Sequence, residues 1–281
     1  MMQRIQPAGR SVGLPPWRQA ILVAVATLAL AALGGTAQAN NLVTNGSFSL
    51  TSGTDSGSSA QFGTGYETGG VPYLTVNNWA TSGYNFLFVP QTGTTSGTSA
   101  DNAGANGSGG ALHLWGPGTG SANGLTNSPD GGNFVAADSA FEAAAITQTI
   151  VGLIPNSTAT LTFEWAAAQQ SGFDGQTTDY WQVSLGSQTQ VTTTYTLPQH
   201  LFSGWMTQVM QFTVPAGVTS EVLSFLAIGT PISPSEPPFA LLDGVSLSDI
   251  PEPASWALMV TGLTALIGIA RWRRRSASAT G

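Results

Sequence analysis

The side chains of residues 40–250 that could do chemistry are carboxylates, two histidines and aromatic rings, because this segment contains no lysine, arginine or cysteine. Two carboxylates are enough to hydrolyse a glycosidic bond, and Glu142 or Glu164 could supply one of them. His113 and His200 leave little material for a catalytic triad or a zinc site, and the chain has no Gly-x-Ser-x-Gly nucleophile elbow. Since any acidic protein contains two carboxylates, the sequence favours a protein that is not an enzyme.

Sugar binding is the other chemistry that these side chains allow, because flat aromatic rings beside polar groups can stack on a sugar ring. Trp79 and Trp115 lie beside predicted loops, close in sequence to asparagine and histidine, and they are the candidate carbohydrate-binding residues. Trp165 and Trp181 lie on the apolar side of predicted strands, so we expect both in the core.

Two groups of acidic and amide side chains stand at predicted loop ends, where ligands often bind. Asp130, Asn133 and Asp138 form the first group, and Asp174 and Asp179 form the second. Asp and Asn beside glycine are also typical of tight turns, in which the side chain bonds the nearby backbone. Both interpretations, ligand site and turn, stay open from the sequence.

The charge distribution excludes several functions. Only 7% of the residues are charged, against about 25% in average soluble proteins. All seven basic residues lie outside residues 40–250, which carry thirteen of the fourteen carboxylates. A segment without cations cannot neutralise phosphates, so nucleic-acid binding is excluded. The same count predicts no salt bridge within this segment, whose stability must then come from apolar burial and backbone hydrogen bonds.

The elements that must position these residues are predicted to be strands. Apolar and polar residues alternate over 160–165 and 180–185, and a period of two indicates half-buried strands. Residues 221–228 are nearly all apolar, as in a central strand, whereas 140–145 could form one helical turn. About ten short strands between turn clusters predict an all-β fold of the jelly-roll or β-sandwich type. The other candidate strands are 42–50, 84–89, 111–115, 146–151, 190–196, 207–214 and 240–248.

Residues 1–39 have the order of a secretory signal peptide. Three spaced arginines precede the uncharged run 20–33, and Ala37 and Ala39 form the small-residue cleavage pattern that follows it. Cleavage after Ala39 would start the mature chain at Asn40. The alternative is an uncleaved anchor, but the run is shorter than the ~20 residues that a spanning helix needs.

Residues 251–275 are predicted to hold the chain in a membrane, with 276–281 as a short tail. The motif Pro251, Glu252, Pro253 precedes an uncharged run, 254–270, which as a helix would reach about 25 Å, the lower edge of the spanning range. The alternative is a buried core helix. A cluster of four arginines directly after the run argues against it and should stay on the cytoplasmic side. These residues are Arg271, Arg273, Arg274 and Arg275.

The order of these three features resembles the PEP-CTERM sorting signal of Gram-negative bacteria. The resemblance implies recognition near Pro251 to Pro253 by exosortase, a membrane transpeptidase-like enzyme, in a host that makes exopolysaccharide. It also implies an inner-membrane intermediate that faces the periplasm, followed by release or attachment at the cell surface. Signal peptidase and the secretion machinery are the other partners that this route implies.

Residues 40–250 also resemble the ectodomains of other PEP-CTERM proteins. Residues 41–50 (NLVTNGSFSL) and 238–248 (PFALLDGVSLS) look like the opening and closing strands of galactose-binding-like jelly rolls and carbohydrate-binding modules. In those similar modules a structural calcium joins the first strand to the last. The resemblance implies Asp243 and the carbonyls near Asn45 as its ligands.

The calcium site departs from the family pattern at two positions. Ser49 stands where a carboxylate usually follows the phenylalanine, and Gly244 stands where a second aspartate is common. Calcium takes six to eight oxygens, which Asp243 alone cannot supply. Asp243 could instead end a turn. No other cofactor is predicted.

Together these features predict a secreted, exosortase-sorted protein of the cell surface or extracellular matrix. We expect its β domain to be a non-catalytic interaction module that binds exopolysaccharide. A secreted glycoside hydrolase is the first alternative, and a purely structural surface protein without a small ligand is the second.

Overall fold

A computed structural model of the chain describes residues 40–90, 104–231 and 236–250. Strands dominate these ranges, as the alternating sequence pattern predicts. A short 3-10 turn, Pro117–Thr119, is their one helical element, and 140–145 is irregular. The strands are β1 Thr51–Ser52, β2 Ala60–Gln61, β3 Glu67–Thr68, β4 Val71–Pro72, β5 Thr75–Val76, β6 Asn85–Phe88, β7 Phe134–Asp138, β8 Ile146–Val151, β9 Thr158–Gln169, β10 Thr177–Leu185, β11 Gln188–Val191, β12 Tyr195–Leu197, β13 Met206–Thr213, β14 Ser220–Thr230 and β15 Pro238–Ile250.

Two antiparallel sheets form a sandwich. The six-stranded sheet has the order β13-β9-β15-β7-β6-β2, and the other sheet has the order β11-β10-β14-β8, with β12 also paired to β10. Two-stranded ribbons, β1 with β5 and β3 with β4, lie outside these sheets. Asn41 pairs with Ser248, and the Leu42 N–H donates to the Leu247 carbonyl, so the start of the domain lies against its last strand. The all-β, sandwich-like fold is therefore confirmed.

The main core lies between the two sheets and is built by the predicted alternation. On β9 the side chains of Leu161, Phe163 and Trp165 are buried there, and the apolar residues of β10 face them from the opposite sheet. Trp165 and Trp181 both belong to this core, as predicted. The predicted central strand is also confirmed, because β14 lies between β10 and β8.

A second core covers the other face of the six-stranded sheet, and the alternating sequence pattern alone does not predict it. Alternate residues of β6, β7, β9 and β15 point into it, and Leu112, Leu114 and Leu125 of the segment 104–128 pack against them. This burial on two faces explains the continuous apolar runs Phe-Val-Ala-Ala in β7, Trp-Ala-Ala-Ala in β9 and Phe-Ala-Leu-Leu in β15. We call the segment 104–128 the cover segment.

The predicted strand 190–196 is divided into β11 and β12 by residues 192–194, and two other predicted strands are wrong. Residues 42–50 form turns, with Asn45 and Phe48 at positive φ, and only Asn41 bridges to the last strand. Residues 111–115 pair with neighbours only through isolated bridges of Leu112 and Leu114. Both segments carry apolar residues because they pack over a core. Their sequences therefore resemble the apolar pattern of a strand.

Several predictions fall on residues outside the described ranges. These are the signal peptide with Ala37 and Ala39, the motif of Pro251, Glu252 and Pro253, the run 254–270 and the four arginines of 271–275. Within the described ranges, no helix has the length and apolar character needed to cross a membrane.

Candidate functional site

Trp79 lies in the core and cannot serve as a sugar platform. Its side chain is 5% exposed, and its ring packs 5.2 Å from Phe48 and 6.2 Å from Phe225, measured between ring centroids. The indole Nε1 donates to the Asn45 carbonyl at 2.9 Å. The prediction that Trp79 stacks on a ligand is therefore wrong, because its position before a sharp turn in the sequence did not reveal which way the ring faces.

Trp115 is half-buried at the surface of the cover segment, where it joins three loops. Its Nε1 donates to the Phe173 carbonyl at 2.8 Å, and the His200 imidazole lies 3.9 Å from it between ring centroids. The His200 Nε2 lies 2.6 Å from the Asp174 Oδ1. This contact is an ion pair when His200 is protonated, so the prediction that residues 40–250 hold no salt bridge is wrong. It counted only lysine and arginine as cations.

An open cleft of about 350 Å³ lies beside this cluster, between the cover segment and the turn that follows β7. Three aromatic side chains line it, Tyr84, Phe141 and Phe173, and Phe141 is 45% exposed. We call this space the aromatic cleft. Its other lining residues are Ser108, Gly109, Asp138, Glu142, Gln170 and Pro237.

The ends of four neighbouring strands bring the lining residues together. Tyr84 directly precedes β6, and Asp138 ends β7, whose Ala137 pairs with Asn85. Gln170 follows β9, and the start of β15 lies between β9 and β7 in the sheet. Residues distant in sequence thus meet at one end of the six-stranded sheet.

The turn 139–145 carries Phe141 and Glu142 to the cleft, and several backbone contacts fix it. The Asp138 Oδ1 accepts hydrogen bonds from the N–H groups of Ala140, at 2.9 Å, and Phe141, at 2.8 Å. The Tyr84 N–H donates to the Glu142 carbonyl at 3.1 Å. Glu142 has a positive φ of 45°, which is uncommon for a residue with a side chain.

The electrostatics of the cleft are dominated by its two carboxylates. Burial raises the pKa of Asp138 to about 6, although the Phe141 and Ala140 N–H groups act to lower it. Burial also raises the pKa of the Tyr84 hydroxyl, and Asp138 and Glu142 raise it further, so both carboxylates act on this ring. The cleft therefore offers aromatic faces and hydrogen-bond acceptors, and the described residues around it include no lysine or arginine.

The structure separates the carboxylates within each of the two predicted acidic groups. Asp179 is fully buried behind the cleft, where Ser139 donates to its Oδ1, whereas Asp174 is a surface residue bonded to His200. Burial raises the pKa of Asp179 to about 8, and nearby Asp138 raises it while Ser139 lowers it. Asp130, the remaining carboxylate of the first group, lies instead beside Gly244.

The surroundings of Asp243 fit a cation better than those of Asn45 do. Asp243 is fully buried, and within the described ranges neither of its carboxylate oxygens makes a hydrogen bond of ordinary geometry, although Ser128 and the Gly244 N–H lie near them. Burial raises its pKa to about 7, Ser128 and the Gly244 N–H lower it, and Asp130 and Glu164 raise it.

The oxygens of Asn45 are already engaged by the protein. Its Oδ1 accepts from the Leu50 N–H, and its carbonyl accepts from Trp79 and from the Phe48 N–H. In the described ranges no three His, Asp or Glu side chains form a metal-binding group. Calcium at Asp243 and the carbonyls near Asn45 stays a prediction.

Comparisons with known proteins find likenesses of fold. No protein-family model and no curated protein matches the chain. Among solved structures, the cyclase Fisc from Fischerella sp. TAU matches with a TM-score of 0.43 and 15% identity, over 76% of this chain and 99% of that one. The CBM22-1 xylan-binding domain of Paenibacillus barcinonensis Xyn10C matches with a TM-score of 0.35 and 10% identity, over 78% and 99%.

A third match is the enzymatically active domain of tailspike protein 4 from bacteriophage CBA120, with a TM-score of 0.34 and 16% identity. It covers 75% of this chain, and this chain spans 21% of that one. With TM-scores below 0.5, these likenesses carry no inference about function.

Proposed function

We propose that residues 40–250 are a non-catalytic carbohydrate-binding module and that the aromatic cleft is its binding site. The observation that carries the proposal is the combination of three ring side chains with Gln170 and two carboxylates in one open cleft. Rings stack on the apolar faces of sugars, and amide and carboxylate oxygens accept hydrogen bonds from sugar hydroxyls. Phe141 is 45% exposed, so its ring is accessible to a ligand in the cleft.

A glycan array probed with the full-length protein in a mild detergent tests this proposal. We expect retention of at least one polysaccharide or oligosaccharide class, and loss of that retention in Phe141→Ala. Absence of binding to every glycan at millimolar concentration would contradict the proposal and favour the purely structural surface protein.

A glycoside hydrolase is the second candidate, because Asp138 and Glu142 line the same cleft and burial raises the pKa of Asp138 to about 6. A general acid needs a raised pKa of this kind. However, the Asp138 Oδ1 is occupied by two backbone N–H groups, which gives Asp138 a structural role in the turn. Release of reducing ends from a bound glycan would support hydrolysis, and its absence during prolonged incubation supports a binding module.

We also propose that the protein is exported, held in the inner membrane and sorted by exosortase to the cell surface or the extracellular matrix. The sequence supports this route through the signal-peptide pattern of 1–39, the Pro251-Glu252-Pro253 motif, the apolar run 254–270 and the arginines that follow. On this route the prolines would disfavour a helical backbone at the motif, so that a processing enzyme could reach it.

Replacement of Pro251, Glu252 and Pro253 by alanine tests the sorting route. We expect the variant to be exported but to accumulate in the inner membrane, because the processing enzyme no longer recognises it. Fractionation of cells with and without the substitution measures this. Unchanged release or surface attachment of the variant would contradict the route.

A further inference from the structure

Building on the proposed sugar-binding function, we infer that the aromatic cleft selects glycans with free amino groups, such as β-linked glucosamine polymers. Neutral glycans of the same linkage should bind more weakly, and glycans with uronic acids should bind least. The juxtaposition behind this inference is a pair of carboxylates, Asp138 and Glu142, among three aromatic rings in one cleft.

The first step concerns which carboxylate oxygens are free. The Asp138 Oδ1 accepts both N–H groups of the following turn, and its Oδ2 takes no part in these two bonds. Glu142 is exposed to solvent, so a ligand can reach its carboxylate. One carboxylate at the base of the cleft, 2% exposed, and one at its rim are thus available as acceptors for a ligand.

The second step concerns the charge that the protein itself brings. No lysine or arginine occurs anywhere in residues 40–250, so within the described part of the chain neither carboxylate of the cleft has such a cation as its partner. The neighbouring imidazole of His200 contacts Asp174 instead. The field at the cleft is therefore negative, and it attracts a cationic ligand and repels an anionic one.

The third step concerns the chemistry of the ligand. An ammonium group gains charge-assisted hydrogen bonds to carboxylates, which are roughly twice as strong as bonds between neutral groups. The same ammonium is attracted to aromatic faces within about 6 Å of the ring centre, and Tyr84, Phe141 and Phe173 provide such faces. A hydroxyl or an acetamide in the same position makes neither the charge-assisted hydrogen bonds nor the cation contact with an aromatic face.

The test uses the full-length protein in a neutral detergent and three β-1,4-linked hexasaccharides that differ only at carbon 2. They carry an amine, an acetamide or a hydroxyl there, and calorimetric titration is done at low salt and at a pH just above the pKa of Asp138, about 6, where Asp138 is largely ionised and many of the amines are still protonated. We expect the glucosamine hexamer to bind about tenfold more tightly than the other two, a difference of about 1.4 kcal/mol. Raised salt should reduce this preference.

Two variants assign the preference to the cleft. Glu142→Gln keeps the side-chain shape and should bring the preference for the amine below about threefold, a remaining difference of less than about 0.7 kcal/mol, because the loss of charge weakens binding of the glucosamine hexamer more than binding of the neutral hexamers. Glu221→Gln removes the same charge from β14 in the opposite sheet and should keep the full preference.

Each contrary result has a distinct meaning. Equal binding of the three hexamers would overturn the amine selectivity and leave the sugar-binding function standing. A preference that survives in Glu142→Gln, or that falls equally in Glu221→Gln, would assign it to the net charge of the protein and would also overturn the inference. If the protein binds none of the three hexamers and no glycan on the array, the proposed function itself is contradicted.

Discussion

Phe141 is the residue that the sugar-binding account depends on most. Its side chain is 45% exposed at the cleft, and its ring makes a T-shaped contact with Tyr84 at 5.8 Å between centroids. Truncation to alanine removes a stacking face worth about 1 kcal/mol. It leaves no enclosed cavity, because the ring lies at the surface. We therefore expect Phe141→Ala to weaken glycan binding about fivefold and to leave the melting temperature unchanged within about 2 °C.

The matched control for this prediction is Val222→Ala on β14, which truncates a side chain of similar exposure, 46%, on the other sheet. Calorimetric titration and thermal denaturation of both variants give the comparison. Equal loss of affinity in the two variants would contradict a role of Phe141 in the cleft.

Asp243 permits a residue-level test of the calcium prediction. Among the residues that the structure describes, none makes a hydrogen bond of ordinary geometry to its two buried oxygens, so a cation would compensate them. Added calcium should therefore raise the melting temperature of the protein at neutral pH, and Asp243→Asn should abolish this increase. Magnesium is the ion control, because it holds its water more strongly. A melting temperature that calcium does not change would contradict the prediction.

At the scale of elements, Gly83 shows how the turn 139–145 is held against β6. A Cβ at this position would lie 2.4 Å from the Glu142 carbonyl oxygen and 2.7 Å from the Ala144 Cβ. We expect Gly83→Ala to displace the turn and to reduce glycan affinity at least tenfold, about 1.4 kcal/mol, although the variant alters no side chain that lines the cleft.

Gly65→Ala is the matched control, since its nearest neighbour would lie 3.4 Å away, an ordinary contact distance. Circular dichroism should show that both variants keep the strand content of the protein. Full glycan affinity in Gly83→Ala would mean that the position of the turn does not determine binding.

The strands and the cleft differ in how far the sequence predicts them. The sequence predicts β9, β10 and β14 well. In each of these strands buried residues alternate with more exposed ones, and this period of two appears in the sequence of the strand itself. The runs of small apolar residues in β7 and β9 were a signal for a second core that periodicity alone did not reveal. The cleft was not predictable, because Tyr84, Asp138 and Phe173 become neighbours only when separate strands end at one edge of the sheet.

At the scale of the whole molecule, three buried carboxyls give the protein an unusual pH dependence. Burial raises the pKa of Asp138 to about 6, of Asp243 to about 7 and of Asp179 to about 8, from an ordinary value of 3.8. The folded state therefore keeps protons that the unfolded chain has released. The stabilisation is complete below the unfolded pKa and is lost as the pH rises through the folded values.

Thermal denaturation across this range should show a higher melting temperature at about pH 5 than at about pH 8, with an effect of up to several kcal/mol in the free energy of unfolding. Asp179→Asn removes the group with the highest pKa, so the decline of stability with pH should become shallower. A melting temperature that rises between these two pH values would contradict the assignment of raised pKa values.

The central claim, that the aromatic cleft binds sugar, is tested most directly by amide hydrogen exchange measured by mass spectrometry. The full-length protein is compared with and without a saturating oligosaccharide taken from the array or the hexamer titrations. We predict slower exchange around residues 108–109, 139–142 and 170–173, which line the cleft or flank its lining residues. Protection confined to other surfaces, or no protection at a ligand concentration that saturates binding, would contradict the claim.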